Sequence, residues 1–206
     1  VLTIRPALLA LACGSVARSA SVPAPALPIV ASDLKVELVA SEPLMHSPVA
    51  FEWSADGRLW VVEMGDYPNG LDGQGQPGGR VRVLVDQDGD GRYDKATIFL
   101  EGVGFPSSVM PWKKGALIAA APDIFYAEDT DGDGRFDKSV VFADKMMFPE
   151  GTMWHDGSLY VSAPPSIWKL TDTNGDGVAD EYLTAGRGWN VSGAYHGYAY
   201  GPKRDG

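Results

Sequence analysis

Cysteine is nearly missing from this sequence: Cys13 stands alone among 206 residues. A single thiol excludes an internal disulfide framework and a cysteine-ligated zinc site, so stiffness beyond packing must come from another source. Histidine is scarce too, with three residues, and no apolar run reaches the roughly 20 residues that a membrane-spanning helix needs. Basic residues number 17 against 27 acidic ones, a net charge of −10. Phosphate recognition requires the opposite sign, which excludes nucleic acid as a partner. A phosphate-cradling glycine loop, a G-x-S-x-G elbow and a C-x-x-C-H haem attachment are all absent from the chain.

What remains is an ordinary globular composition, 45% hydrophobic and 21% charged, with enough length to bury a core. The acidity is local. Eleven aspartates fall in three short loops, and without them the charge balance would be near neutral.

Residues 1–31 read differently from the rest. Arg5 precedes the apolar stretch Ala7 to Ala12, then come Cys13, small residues and the proline-rich VPAPALPIVA. This order has the form of a secretory signal and linker, and it predicts export to the periplasm or cell surface. Ala10-Leu11-Ala12-Cys13 also has the form of a lipoprotein box, which makes a lipid anchor at Cys13 the alternative to a plain secretory signal and the sole membrane contact expected.

Residues 32–206 are built on an internal repeat. VDQDGDGRYDKATIF, AEDTDGDGRFDKSVVF and TDTNGDGVADEYL start their Asp-rich loops at Asp86, Asp129 and Asp172, a spacing of 43 residues. The alternating strands RVRVLVD, IFYAED and IWKLTD lead into the loops. Upstream lie glycine turns at Gly57, Gly115 and Gly157, each following a tryptophan: Trp53, Trp112 and Trp154. One extra segment, YPNGLDGQGQPGGR, has surface-loop composition. Four short strands per unit, period-2 alternation and no helical stretch predict an all-β fold, a β-propeller with one blade per repeat. About three and a half blades are expected here, with the last stretch HGYAYGPKRDG read as the start of a fourth. Closed propellers use roughly 4 to 8 blades.

Each loop places oxygen-bearing side chains at positions 1, 3, 5 and 9 and glycine at position 6, a pattern that suits the hard-oxygen coordination of calcium. The candidate ligands are Asp86, Asp88, Asp90 and Asp94; Asp129, Asp131, Asp133 and Asp137; and Asp172, Asn174, Asp176 and Asp180. Thr97, Val140 and Leu183 replace the glutamate that an EF-hand carries at position 12. The flanks read as strands, so these are structural loops closing hairpins. Plain Asp-Gly turns are the alternative.

If the tryptophan-ended strands line a central channel, counting four residues back from Trp112, Trp154 and Tyr200 selects Ser108, Glu150 and His196. His196 is the candidate general base, because imidazole titrates near neutrality; Glu150 is the second candidate. The alternatives are a backbone-bonded histidine and an ordinary surface glutamate. Trp60, Tyr160 and Trp168 read as core or sugar-stacking residues.

The runs LKVELVASEPLMHSPVAFEWSADGRLWVVEMGDYP and GGRVRVLVDQDGDGRYDKATIFLEGVGFPSSVMPWKKGALIAAAPDIFYAEDTDGDGRFDK resemble the N-terminal propeller of the membrane-bound dehydrogenase family of planctomycete-type bacteria, which is similar to quinoprotein glucose and sorbosone dehydrogenases. The resemblance covers about residues 33–206. It implies a six-bladed propeller that binds calcium and pyrroloquinoline quinone, oxidises a sugar or related alcohol, and passes electrons to a cytochrome c domain or another acceptor. It also implies that His196-Gly197 supplies the base. Two rival functions stand beside it: a non-catalytic propeller that binds glycans or proteins, and a lactonase-like hydrolase.

Overall fold

A computed structural model describes residues 26–186, 188 and 198–203. Cys13, the leader and His196 lie outside the described residues. The chain divides into two compact units, residues 1–37 and 38–206. Of the first, the described part holds a turn in which Leu34 N–H donates to Ala31 O at 2.9 Å, and an ion pair between Lys35 and Glu37.

The second unit is all-β. Among the described residues there are twelve strands and no helix. The first sheet contains β1 (Pro48–Trp53), β2 (Leu59–Glu63), β3 (Gly79–Val85) and β4 (Lys95–Val103). The second contains β5 (Pro106–Trp112), β6 (Gly115–Ala120), β7 (Asp123–Glu128) and β8 (Lys138–Ala143). The third contains β9 (Gly151–His155), β10 (Ser158–Ala163), β11 (Ser166–Thr171) and β12 (Glu181–Thr184). Each is a four-stranded antiparallel meander whose strands lie in chain order. The Asp-rich loops close the last hairpin of each sheet. The extra glycine-rich segment forms the connection between β2 and β3.

The repeat length sets the register. Leu59 pairs with Leu84, Ala116 with Ala127 and Leu159 with Leu170, so the third strands superimpose at 43-residue steps. On the other side the same three residues pair with Trp53, Pro111 and Trp154. This corrects the alignment made from the tryptophans. Trp112 sits one residue beyond the level of Trp53 and Trp154, at the end of the tight β5–β6 hairpin where it pairs with Gly115.

Alternation then decides what each sheet buries. The forward face of the first sheet, carrying Trp60, Val62, Val81 and Val83, shares one core with the rear face of the second, carrying Val109, Ala116, Ile118 and Ala127. The forward face of the second sheet, with Leu117, Ala119, Ile124 and Tyr126, meets the rear face of the third, with Leu159, Val161 and Leu170. β6 is therefore covered on both sides, which is why GALIAA carries no polar side chain and is buried throughout. Full burial of a side chain such as Leu117 or Leu159 contributes about 1.5–3 kcal/mol. The rear face of the first sheet packs Leu59, Val61 and Leu84 against Ala40, Leu44 and Met45.

Backbone hydrogen bonds tie neighbouring sheets at matched positions. Phe136, in the loop of the second sheet, donates to Phe99 O in β4 at 3.0 Å, and Ala179, in the loop of the third, donates to Phe142 O in β8 at 2.7 Å.

Candidate functional site

The first strands β1, β5 and β9 lie side by side, because a meander grows in chain order and packs its leading strand beside that of the next sheet. Ser108 Oγ and Thr152 Oγ1, one on β5 and one on β9, are 3.0 Å apart and buried. Residues 198–203 run along the far side of β9. Ser162 Oγ donates to Ala199 O at 2.6 Å, and Gly151 approaches Gly201 so closely that a Cβ on it would lie 2.4 Å from the Gly201 nitrogen. The same segment reaches β1 through Lys203 Nζ, 2.9 Å from Glu52.

These four segments surround a cleft of about 740 Å³. Ser107, Ser108 and Thr152 supply hydroxyls, Tyr67, Tyr198 and Tyr200 supply aromatic rings, and Glu150 stands at the start of β9. Glu150 N–H donates to Ser162 O at 2.9 Å, fixing its backbone. Its carboxyl is half-buried, and that burial pushes its pKa from 4.5 up to about 7. Among the described residues no hydrogen bond or ion pair offsets the effect, so the carboxyl exchanges a proton near neutrality.

Ser108 and Glu150 both line the cleft, but they are not at one level. Pro111 occupies the register of Trp154, so the residue that corresponds to Glu150 is Ser107, which sequence inspection passed over. Ser107 Oγ donates to Pro149 O and to Ala119 O, joining β5 to the segment that carries Glu150. The signal was available in the 43-residue spacing; the conspicuous tryptophan concealed it.

The two described histidines and the tryptophans singled out above have definite places. His46 N–H donates to Glu63 Oε1 at 2.7 Å, and its ring stands 3.5 Å from the Glu42 carboxylate. His155 ends β9, with its ring 6.3 Å from that of Tyr160. Trp60 is 3% exposed, held between the first two sheets, and Trp168 packs against the second core.

The Asp-rich loops share one geometry. Asp86 accepts the Gly89 and Gly91 amides at 2.7 and 2.9 Å; Asp129 accepts those of Gly132 and Gly134, and Asp172 those of Gly175 and Gly177. Gly91, Gly134 and Gly177 hold φ of 88°, 88° and 92°, left-handed values that glycine adopts without strain. Asp86, Asp88 and Asp94 bring carboxylate oxygens within 4.8 Å of one another, as do Asp129, Asp131 and Asp137. In the third loop Asn174 replaces the middle carboxylate, and its amide donates to Asp180 at 3.1 Å. Asp90, Asp133 and Asp176 instead cap the turn, accepting the amides of Arg92, Arg135 and Val178, each at 2.8 Å.

Electrostatics follow the hydrogen bonds. The Gly91 and Gly89 amides hold Asp86 below its ordinary pKa. Burial pushes Asp129 upward, but the Gly134 and Gly132 amides outweigh it and leave the pKa lowered. The Thr173 hydroxyl and amide lower Asp180. All three are therefore anions at neutral pH, the state in which a carboxylate can ligate a cation.

Three antiparallel meanders joined face to face by a 43-residue unit define an all-β repeat protein. The chain belongs to the family described as Domain of unknown function (DUF7133), whose model matches residues 28–135 and 127–202. No curated protein matches the sequence.

Proposed function

We propose that this chain forms part of an exported, calcium-braced β-propeller whose cleft binds a carbohydrate or related polyol, with Glu150 taking the proton from one of its hydroxyl groups. The observation that carries this reading is Glu150 itself, a carboxyl at about 7 at the start of β9, facing a cleft of hydroxyls and tyrosines. A general base performs best when its pKa lies near the working pH. Flat aromatic rings and hydroxyls are the groups that hold a sugar's apolar face and its edge.

Propeller architecture is supported by the twice-repeated packing of forward face on rear face and by the leading strands gathered around the cleft. Calcium fits the donor set. Hard carboxylate oxygens cluster in two loops, an amide joins them in the third, and the position-6 glycines make the bend. Export to a calcium-rich compartment accords with the leader-like residues 1–31.

Pyrroloquinoline quinone is a tricarboxylate and calls for cationic partners. Among the described residues the cleft offers Glu52 and Glu150 against Lys203, whose ammonium is engaged by Glu52. This described donor set does not fit that cofactor. Oxidation of a bound alcohol would start with the same removal of a hydroxyl proton, as would other chemistry at that hydroxyl.

Saturation-transfer NMR of the calcium-loaded protein with aldoses, sugar alcohols and lactones tests the reading. Sugar or polyol binding should weaken on Tyr200→Ala. Its pH profile should bend near 7 in the parent protein and lose the bend in Glu150→Gln. Absence of sugar binding, or a profile indifferent to Glu150→Gln, contradicts it.

A further inference from the structure

The rear face of the first sheet departs from the packing rule that the other two rear faces obey. Phe51 on β1 is level with Val109 on β5 and Thr152 on β9, because their partners Val61, Ile118 and Val161 occupy one register. Val109 is 4% exposed and Thr152 8%, each covered by the forward face of the preceding sheet. Phe51 is 59% exposed, and its neighbours Val49 and Trp53 are each 51% exposed. Three large apolar side chains at alternate positions are thus exposed, Val49 and Phe51 at the rim of the cleft and Trp53 beyond it, at the place where the repeat elsewhere supplies a neighbour.

A second, independent observation marks what the neighbour is. Tyr93 N–H donates to Val39 O at 2.8 Å. Tyr93, Phe136 and Ala179 are equivalent by the 43-residue repeat, and the latter two donate to Phe99 and Phe142 in the outermost strands of preceding sheets. Leu38–Ala40 therefore holds the position of the outermost strand of a sheet that would precede the first. The sequence agrees: Lys35, Lys95 and Lys138 each stand four residues before the accepting carbonyl.

We infer that the exposed strip Val49, Phe51 and Trp53 is the docking surface for three further strands of the same polypeptide, which complete a sheet whose outermost strand is Leu38–Ala40. This rests on the propeller reading above and adds how the stack is closed. A second copy fits poorly, because its third sheet brings its own outermost strand β12, which would compete for the place Leu38–Ala40 fills. A three-stranded remainder from an unrelated protein would carry an unpaired edge on its own. Strands of this polypeptide suffer neither objection, and their apolar side chains need cover only the β1 strip, because Ala40, Leu44 and Met45 already bury Leu59, Val61 and Leu84.

Acrylamide quenching on the complete gene product provides the test. The contribution of Trp53 is isolated by comparing the parent with Trp53→Phe, and that of Trp60 by comparison with Trp60→Phe. Trp53 should have lost its access to acrylamide and be as shielded as Trp60, in a monomer and at every protein concentration. Trp53 freely quenched while Trp60 stays shielded overturns the inference and leaves the propeller reading intact. Access to both overturns the stacking on which it rests. Shielding of Trp53 that appears only as the protein oligomerises assigns the face to a second copy and overturns the choice of occupant. Should either variant fail to fold, hydroxyl-radical footprinting of the parent decides: Phe51 as protected as Phe99 supports the completed sheet, and Phe51 labelled like an open surface residue contradicts it.

Discussion

The amide of Phe136 donates to the carbonyl of Phe99 across 3.0 Å, so a residue inside one Asp-rich loop is bonded to the outer strand of the neighbouring sheet. A loop that orders around a cation therefore orders a joint between sheets as well as its own hairpin. Chelation should lower the thermal midpoint and speed amide exchange at Phe136 and Ala179. At a free calcium concentration a hundredfold over Kd, each site contributes about 2.7 kcal/mol. For a chain of this size each kcal/mol corresponds to about 2–4 °C. Asp129→Ala should reproduce the effect at the joint between the first two sheets. Calorimetric scans unchanged by chelator would refute the bracing role.

Asp66 is fully buried in the connection between β2 and β3 and accepts the amides of Gly78 at 3.2 Å and Phe105 at 3.0 Å. One carboxylate thereby anchors both ends of the glycine-rich connection and the entry to β5. Asp66→Ala should cost about 1–3 kcal/mol in all, because the part-buried amides of Gly78 and Phe105 lose their acceptor. Urea unfolding monitored by tryptophan fluorescence reads the loss, and a midpoint equal to that of the parent would count against the anchoring role.

Glu63 and Arg82 form an ion pair at 2.7 Å with both side chains largely buried, and Glu63 also receives the His46 amide. Removing one partner strands the other charge. Glu63→Ala should destabilise by about 3–5 kcal/mol, while replacing both members with apolar residues of similar volume should recover much of the loss. A double-substitution cycle with no coupling would contradict this account.

The raised pKa of Glu150 has a stability consequence. The folded protein holds the Glu150 proton more tightly than the unfolded chain does, so this contribution is fully present below pH 4.5 and is lost as pH rises through about 7. Denaturant midpoints of the calcium-loaded protein should therefore carry a downward slope across that window. Glu150→Gln should remove it. Glu52 and Lys203 also face the cleft, so Lys203→Met serves to show that the slope belongs to Glu150.

The three loops were legible in the sequence because Asp-Gly turn chemistry is local: the Gly89 and Gly91 amides both donate to Asp86, all within six residues. The strands were legible from alternation, and their grouping into fours followed from the spacing of Asp86, Asp129 and Asp172. Register was not. Trp112 drew attention by its size, yet backbone pairing set Pro111 level with Trp53 and Trp154, and only the 43-residue step between Leu84, Ala127 and Leu170 reveals this. Asp66 was invisible for a different reason. Its value depends on Phe105, 39 residues away, and nothing in a local pattern announces such a bond. Glu150 could be chosen by position along a strand, whereas its raised pKa depends on burial created by the surrounding cleft.

The most direct measurement is the titration of Glu150 itself, followed by NMR on protein with 13C-labelled glutamate side chains and assigned by Glu150→Gln. The account predicts a midpoint at about 7. A midpoint at the ordinary 4.5 would mean that the cleft does not desolvate this carboxyl, and the proposed proton acceptor would be lost with it.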